Sequence, residues 1–213
     1  MNNDNILPPD IIIFVYTGEQ EAPQNVTHVI IDRSVKIIPE RAFFRRTELL
    51  SVETHDDLEK IERDAFLYCI SLRRIKLPGV RIVERFAFCN CYDLSDVEFG
   101  DKLETIGDGA FGCCEYLQKI EMPSVRTIGA WAFHGCKQLT DVELPCVETM
   151  GAFAFFHCPF LWCVTIPLKD NMFVVNNVDQ RCTQFGECGN LTAVDLLGGM
   201  HNTVYSLLLE SWK

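Results

Sequence analysis

The sequence predicts an α/β repeat solenoid, with a parallel β-sheet on one face and short helices on the other, and three observations carry that expectation. Ala-Phe recurs at 42–43, 65–66, 87–88, 110–111, 132–133 and 154–155, in steps of 22 or 23 residues. Apolar columns recur in register on both sides of that dipeptide. Within each unit the apolar spacing changes from steps of three and four to a step of two, as it does where a helical turn gives way to a strand. A fixed period of this length means stacked units, each burying its apolar side against the next.

The columns define the unit. Seven residues before each alanine stand Val35, Leu58, Val80, Leu103, Val125 and Val147, and four before stand Ile38, Ile61, Val83, Ile106, Ile128 and Met150. Four after come Cys69, Cys91, Cys114, Cys136 and Cys158, with Arg46 in the first unit, and seven after come Leu49, Leu72, Leu94, Leu117, Leu139 and Leu161. Ten after come Val52, Ile75, Val97, Ile120, Val142 and Val164, and proline closes four units at Pro78, Pro123, Pro145 and Pro167. From Ile106 through Ala110, Cys114 and Leu117 the steps are four, four and three, which predicts one face of a short helix; from Ile120 to Met122 the step is two, which predicts a strand. Repetition then lays like strands side by side in one continuous parallel sheet.

Along the chain, residues 1–10 read as a disordered tail and 11–32 as an N-terminal strand cap. Residues 33–199 form the solenoid of about seven units. The seventh unit is degenerate: Phe185, Cys188, Leu191, Val194 and Leu196 keep its second half, delayed by an insert at 168–182 that contains Met172-Phe173-Val174-Val175. Residues 200–213 place Val204, Leu207, Leu208 and Trp212 at helical spacing and predict a C-terminal helix.

The unit, clearest in Ile106–Pro123 and Ile128–Pro145, resembles the BspA-like leucine-rich repeats over about Val26 to Leu197. Shorter stretches, Thr17–Gln20, Val26–Val29 and Leu191–Gly199, are similar to members from diatoms and other microbial eukaryotes. The resemblance implies a leucine-rich-repeat horseshoe and a role in protein binding. It also implies that the strand face is the concave binding surface.

Charge narrows the partners. The net charge of −11 repels phosphate backbones and anionic lipid heads, which argues against nucleic acid and membrane partners and favours a basic protein segment. No cationic leader and no apolar stretch of membrane-spanning length is visible, so a cytoplasmic protein with reduced thiols is expected despite eleven cysteines. Two glycosylation sequons, at Asn25 and Asn190, carry no weight in that setting.

Catalytic and metal chemistry find little support. The cysteine column reads as buried packing, since cysteine behaves there as a small apolar side chain. Cys89-Asn90-Cys91 and Cys113-Cys114 lack the second ligand pair of a zinc site, and His134 near Cys136 and His157 beside Cys158 follow from the repeat. Gly107, Gly129 and Gly151 are turn glycines of the unit rather than a phosphate cradle, so no cofactor, metal or catalytic residue is expected. The outward strand positions are the candidate surface: Arg74, Lys76, Asp96, Glu98, Lys119, Glu121, Asp141 and Glu143 form a strip rich in carboxylates. The alternative use of the molecule is assembly through the solenoid ends or the C-terminal helix, with the oligomeric state left open.

Overall fold

The computed structural model describes residues 11–167 and 184–197. Its front strands are β1 (Ile13–Tyr16), β2 (His28–Ile31), β4 (Ser51–Glu53), β6 (Arg74–Leu77), β8 (Asp96–Phe99), β10 (Lys119–Glu121), β12 (Asp141–Glu143), β14 (Cys163–Pro167) and β15 (Ala193–Leu197). Between them come six two-residue strands: β3 (Ile37–Ile38), β5 (Lys60–Ile61), β7 (Ile82–Val83), β9 (Thr105–Ile106), β11 (Thr127–Ile128) and β13 (Thr149–Met150). Every pairing is parallel and joins equivalent positions of successive coils, as Ile120↔Val142 and Val142↔Val164 do.

The inward columns fill one continuous core. Phe43, Phe66, Phe88, Phe111, Phe133, Phe155 and Phe185 are all buried, and successive rings lie 4.9–5.5 Å apart within 10° of parallel. The spacing equals that of hydrogen-bonded strands, so the backbone ladder sets the ring stack and the rings fill the space it leaves. Phe155 stacks on Phe185 although 30 residues separate them, so these two coils are adjacent in the stack. At the other end Tyr16 meets Phe43 edge-on at 5.0 Å and closes the column.

The helical expectation is corrected. Among the described residues there is no helix: the segment from four residues before each alanine to seven after it is a β-turn chain, and the molecule is a parallel β-solenoid. Two residues per coil, one before the alanine and three after it, adopt the left-handed conformation, for example Arg41 (φ 60°) and Arg45 (φ 56°), Phe86 (55°) and Asn90 (59°), or Trp131 (59°) and Gly135 (71°). Alternate amides therefore point along the stack instead of down a helix axis. Ala42, Phe44 and Arg46 donate to the carbonyl three residues back, whereas Arg41, Phe43 and Arg45 donate to Arg63, Ala65 and Leu67 of the next coil. A left-handed residue every fourth position returns side chains to the same face as a helix does, which is why apolar steps of four, four and three fit both.

The sheets also differ from the single sheet expected. The front ladder divides into a five-stranded sheet, β1-β2-β4-β6-β8, and a four-stranded one, β10-β12-β14-β15, while the two-residue strands make a third sheet of six. Two local features coincide with the division. Phe99 stands where other coils have Leu77, Met122 or Leu144 and packs edge-on against Phe111 at 5.5 Å. The extra residue of that 23-residue step falls in the corner directly after it, Gly100–Lys102.

The cysteine column has a hydrogen-bonding role that the sequence does not announce. Cys69, Cys91, Cys114, Cys136, Cys158 and Cys188 each donate the thiol to the phenylalanine carbonyl of the preceding coil, at 3.0–3.3 Å. The first coil has no such phenylalanine before it, and there Arg46, only 5% exposed, donates from Nε to the Ala22 carbonyl at 2.8 Å and pairs with Glu21 at 3.1 Å. Arg46 thus does at the solenoid's start what a thiol does in each later coil. The glycines before the turn are demanded by close approach: a Cβ on Gly129 would lie 2.5 Å from the Asp108 amide nitrogen of the preceding coil.

Candidate functional site

In each front strand the residue between the two outward ones is buried, as Ile75 is between Arg74 and Lys76, because successive side chains alternate across a strand. The eight candidate residues are therefore all on one face. Seven are exposed and Asp141 is half-buried. The register places Arg74 beside Asp96 and Lys76 beside Glu98, then Lys119 beside Asp141 and Glu121 beside Glu143, with the division between β8 and β10 separating the two sets.

The pairing within the face is uneven. Lys76 closes on Glu98 at 2.6 Å, and Lys119 reaches both Glu121 at 2.6 Å and Glu143 at 3.7 Å. The hydrogen bond to Glu121, with its charge, holds the Lys119 ammonium above its ordinary range. Asp96 and Asp141 have no cation within ion-pair distance among the described residues. The acidic run continues past the eight: Thr165 and then Asp195 extend the Glu121–Glu143 row, while Cys163 and Ala193 extend the Asp141 row. Burial pushes the Cys163 thiol up, and Asp195, Asp141 and Glu143 add to it.

Three surface features are not readable from the repeat. A hollow of about 680 Å³ opens on the front face over β2, β4 and β6, between His28, Glu53, Arg73, Arg74 and Lys76. At the first edge of the same face Ile11, Ile13 and Val15 are 73%, 62% and 49% exposed, an apolar row leading into and along β1, which among the described residues pairs on one side only. On the turn side Trp131 stacks on Phe153 at 4.4 Å, with His134 and Phe156 edge-on to it. The left-handed position of the turn gathers these rings, so the signal was present only as the column Phe86, Trp131, Phe153.

The chemistry-bearing residues of the turns do not converge. The Cys136 and Cys158 thiols point inward to backbone carbonyls, while His157 turns out to Glu187 at 3.0 Å. Burial pushes the Cys69 thiol up to about 12 and Cys89 up to about 11, far from the thiolate form that a nucleophile uses. Among the described residues no group of three His, Cys, Asp or Glu side chains could hold a metal ion.

The profile of the BspA type leucine rich repeat region matches the chain in six copies, over residues 21–124 and 113–207. Among solved structures the chain is similar to a leucine rich repeat protein of T. pallidum, at 24% identity and a TM-score of 0.55, over 89% of this chain and 77% of that one. It is also similar to a leucine rich cell surface protein of Faecalibacterium prausnitzii, at 19% identity and a TM-score of 0.54. That match covers 83% of this chain but 61% of the other, so the chain spans less than two thirds of that protein's length. Both likenesses concern the fold. No match is found among curated proteins.

Proposed function

The chain belongs to the BspA type leucine-rich repeat family, and from that premise we propose that it is a non-catalytic protein-binding module whose strand face docks a basic segment of a partner protein. The observation that carries this reading is the shortage of cations on the second half of the face. Glu121, Asp141 and Glu143 occupy outward positions of the adjacent strands β10 and β12, with Asp195 beyond Thr165 in the same row, and among the described residues Lys119 alone, divided between Glu121 and Glu143, offsets them. Like charges in register oppose one another, and a lysine- or arginine-rich segment laid along the strip relieves that opposition.

Affinity capture with mass spectrometry identifies the partner, and a triple reversal tests the surface. Glu98→Lys, Glu121→Lys and Glu143→Lys together should abolish capture while leaving the circular dichroism spectrum unchanged, because all three side chains are exposed and outside the core. Undiminished capture by the folded triple variant rejects the strip. The ten described cysteines are all unpaired, which supports placing this activity in a reducing compartment such as the cytoplasm.

A second reading, assembly through the solenoid ends, has one observation in its favour: the exposed apolar row of Ile13 and Val15 on edge strand β1 and Ile11 just before it. If that row joins copies, Ile13→Lys with Val15→Lys converts an oligomer to a monomer in sedimentation velocity; a wild-type monomer at high concentration excludes it. The C-terminal segment 200–213 and the insert at 168–182, the other expected contacts, lie outside the described residues, as does the tail 1–10.

A further inference from the structure

We infer that the strand face is bipolar: the hollow over its first coils, bearing Arg73 and Arg74, takes an acidic stretch of the same partner whose basic stretch docks on Glu121, Asp141 and Glu143. This rests on the strand face being the binding surface and adds the partner's charge order and spacing. The hollow's volume of about 680 Å³ falls within the range of sites that hold several side chains.

The arginines stand out by what they lack. Most cations of this acidic chain already have a carboxylate: Lys36 pairs with Asp57, Lys60 with Glu84, Arg63 with Glu40, Arg81 with Glu104, Arg126 with Glu148 and Lys137 with Glu115. Arg41, Arg45 and Arg85 instead lie over aromatic rings. Arg73 and Arg74 have neither kind of partner among the described residues, and Arg74 faces Asp96 across the register without closing an ion pair. Arg33 is also unpaired, but it stands alone in the turn after β2, away from the hollow. Two adjacent exposed guanidiniums at the rim of a concave surface are five-donor forks shaped for carboxylates. Lys76, on the same wall, is engaged by Glu98, and Glu53 is the one carboxylate lining the hollow.

Distance fixes the spacing. Three coils separate Arg74 from Asp141, and the stacked rings of those coils put that at about 15 Å. An extended peptide covers it in about four or five residues. A partner segment with an acidic cluster and a basic cluster that far apart can satisfy both halves at once, and one of uniform charge cannot.

The test uses two fluorescein-labelled peptides in anisotropy titrations: three glutamates, Gly-Ser-Gly-Ser and three lysines, and a control with glutamines for the glutamates. The wild-type protein should bind the glutamate peptide about tenfold more tightly than the control, the scale of two exposed charge-assisted contacts. Arg73→Gln with Arg74→Gln should erase that preference and leave the control's affinity unchanged; the reversal Arg73→Glu with Arg74→Glu should invert it. Equal affinity of the wild type for both peptides, or a preference that survives in the folded arginine variants, overturns the inference alone. The parent reading fails separately, if binding of the control is indifferent to Glu121→Lys with Glu143→Lys. Binding of neither peptide removes both.

Discussion

Asn90 sits left-handed at φ 59°, three residues after the alanine of its coil, and the choice between alanine and glycine there separates a β-turn solenoid from one with helices. Either substitution removes the same side-chain contact, the amide donating to the Cys89 sulfur at 3.3 Å, so the difference between the two variants reports the backbone alone. In a helix the alanine variant is more stable by about 1 kcal/mol. At a left-handed position the order reverses, because an L-residue with a Cβ pays about 1 kcal/mol or more that glycine does not. The two architectures thus differ by about 2 kcal/mol and, more usefully, in sign. Urea unfolding of Asn90→Gly and Asn90→Ala, followed by circular dichroism with a common m-value, measures it. We expect glycine above alanine by about 1 kcal/mol, and the same order at Tyr68 (φ 63°). An alanine variant more stable than the glycine variant at both sites would refute the left-handed turn and restore the helix.

Three further outcomes follow from the core. Phe111 contacts Phe88, Phe133 and Phe99, so Phe111→Ala should cost about 4–5 kcal/mol in chemical unfolding and Phe111→Leu distinctly less; equal losses would show that the ring stack adds nothing beyond volume. Arg46→Cys installs the residue of the later coils but removes the bonds to Ala22 and Glu21, and it should destabilise by about 2 kcal/mol, read as a lower urea midpoint; a neutral result would deny Arg46 its capping role. Burial raises the Cys69 thiol from its ordinary 9.0 to about 12, so the unfolded chain loses that proton first as pH rises. Stability should be level below pH 9 and fall between about 9 and 12, and Cys69→Ala should make the fall shallower; a urea midpoint independent of pH up to 11 would contradict the buried neutral thiol.

What the sequence exposes and what it hides divide along physical lines. Positions that stack on their own kind are legible, because the next coil repeats the same environment: the phenylalanine, cysteine and leucine columns all prove buried, and the outward strand residues can be named from alternation alone. The turn is not legible by the same means. Its apolar spacing is shared with a helix, and the compositional sign of left-handed backbone, glycine, asparagine or aspartate, appears at Gly109, Asn90, Asp64 and Gly135 but is masked by Arg41, Phe86, Trp131 and Phe153 in the same two columns. The two-residue strands of the third sheet are too short to show a period. The hollow near Arg74 depends on the relief of three neighbouring strands, which no linear pattern encodes.

The same division says where to look for function in this chain. An inward substitution is felt by two neighbouring coils at a separation of about 5 Å, so inward columns converge on one residue type and carry little information about a partner. Two departures from the inward columns have a local cause. Arg46 replaces a thiol where the preceding coil offers no phenylalanine carbonyl, and Phe99 replaces an aliphatic residue where the front ladder divides. Arg73 and Arg74 have no such cause: among the described residues neither closes an ion pair or lies over a ring, both are exposed, and in a chain with 30 acidic and 19 basic residues a structural guanidinium would have had carboxylates to choose from. That is why the first coils of the face, as well as its acidic second half, belong to the surface on which recognition should be sought.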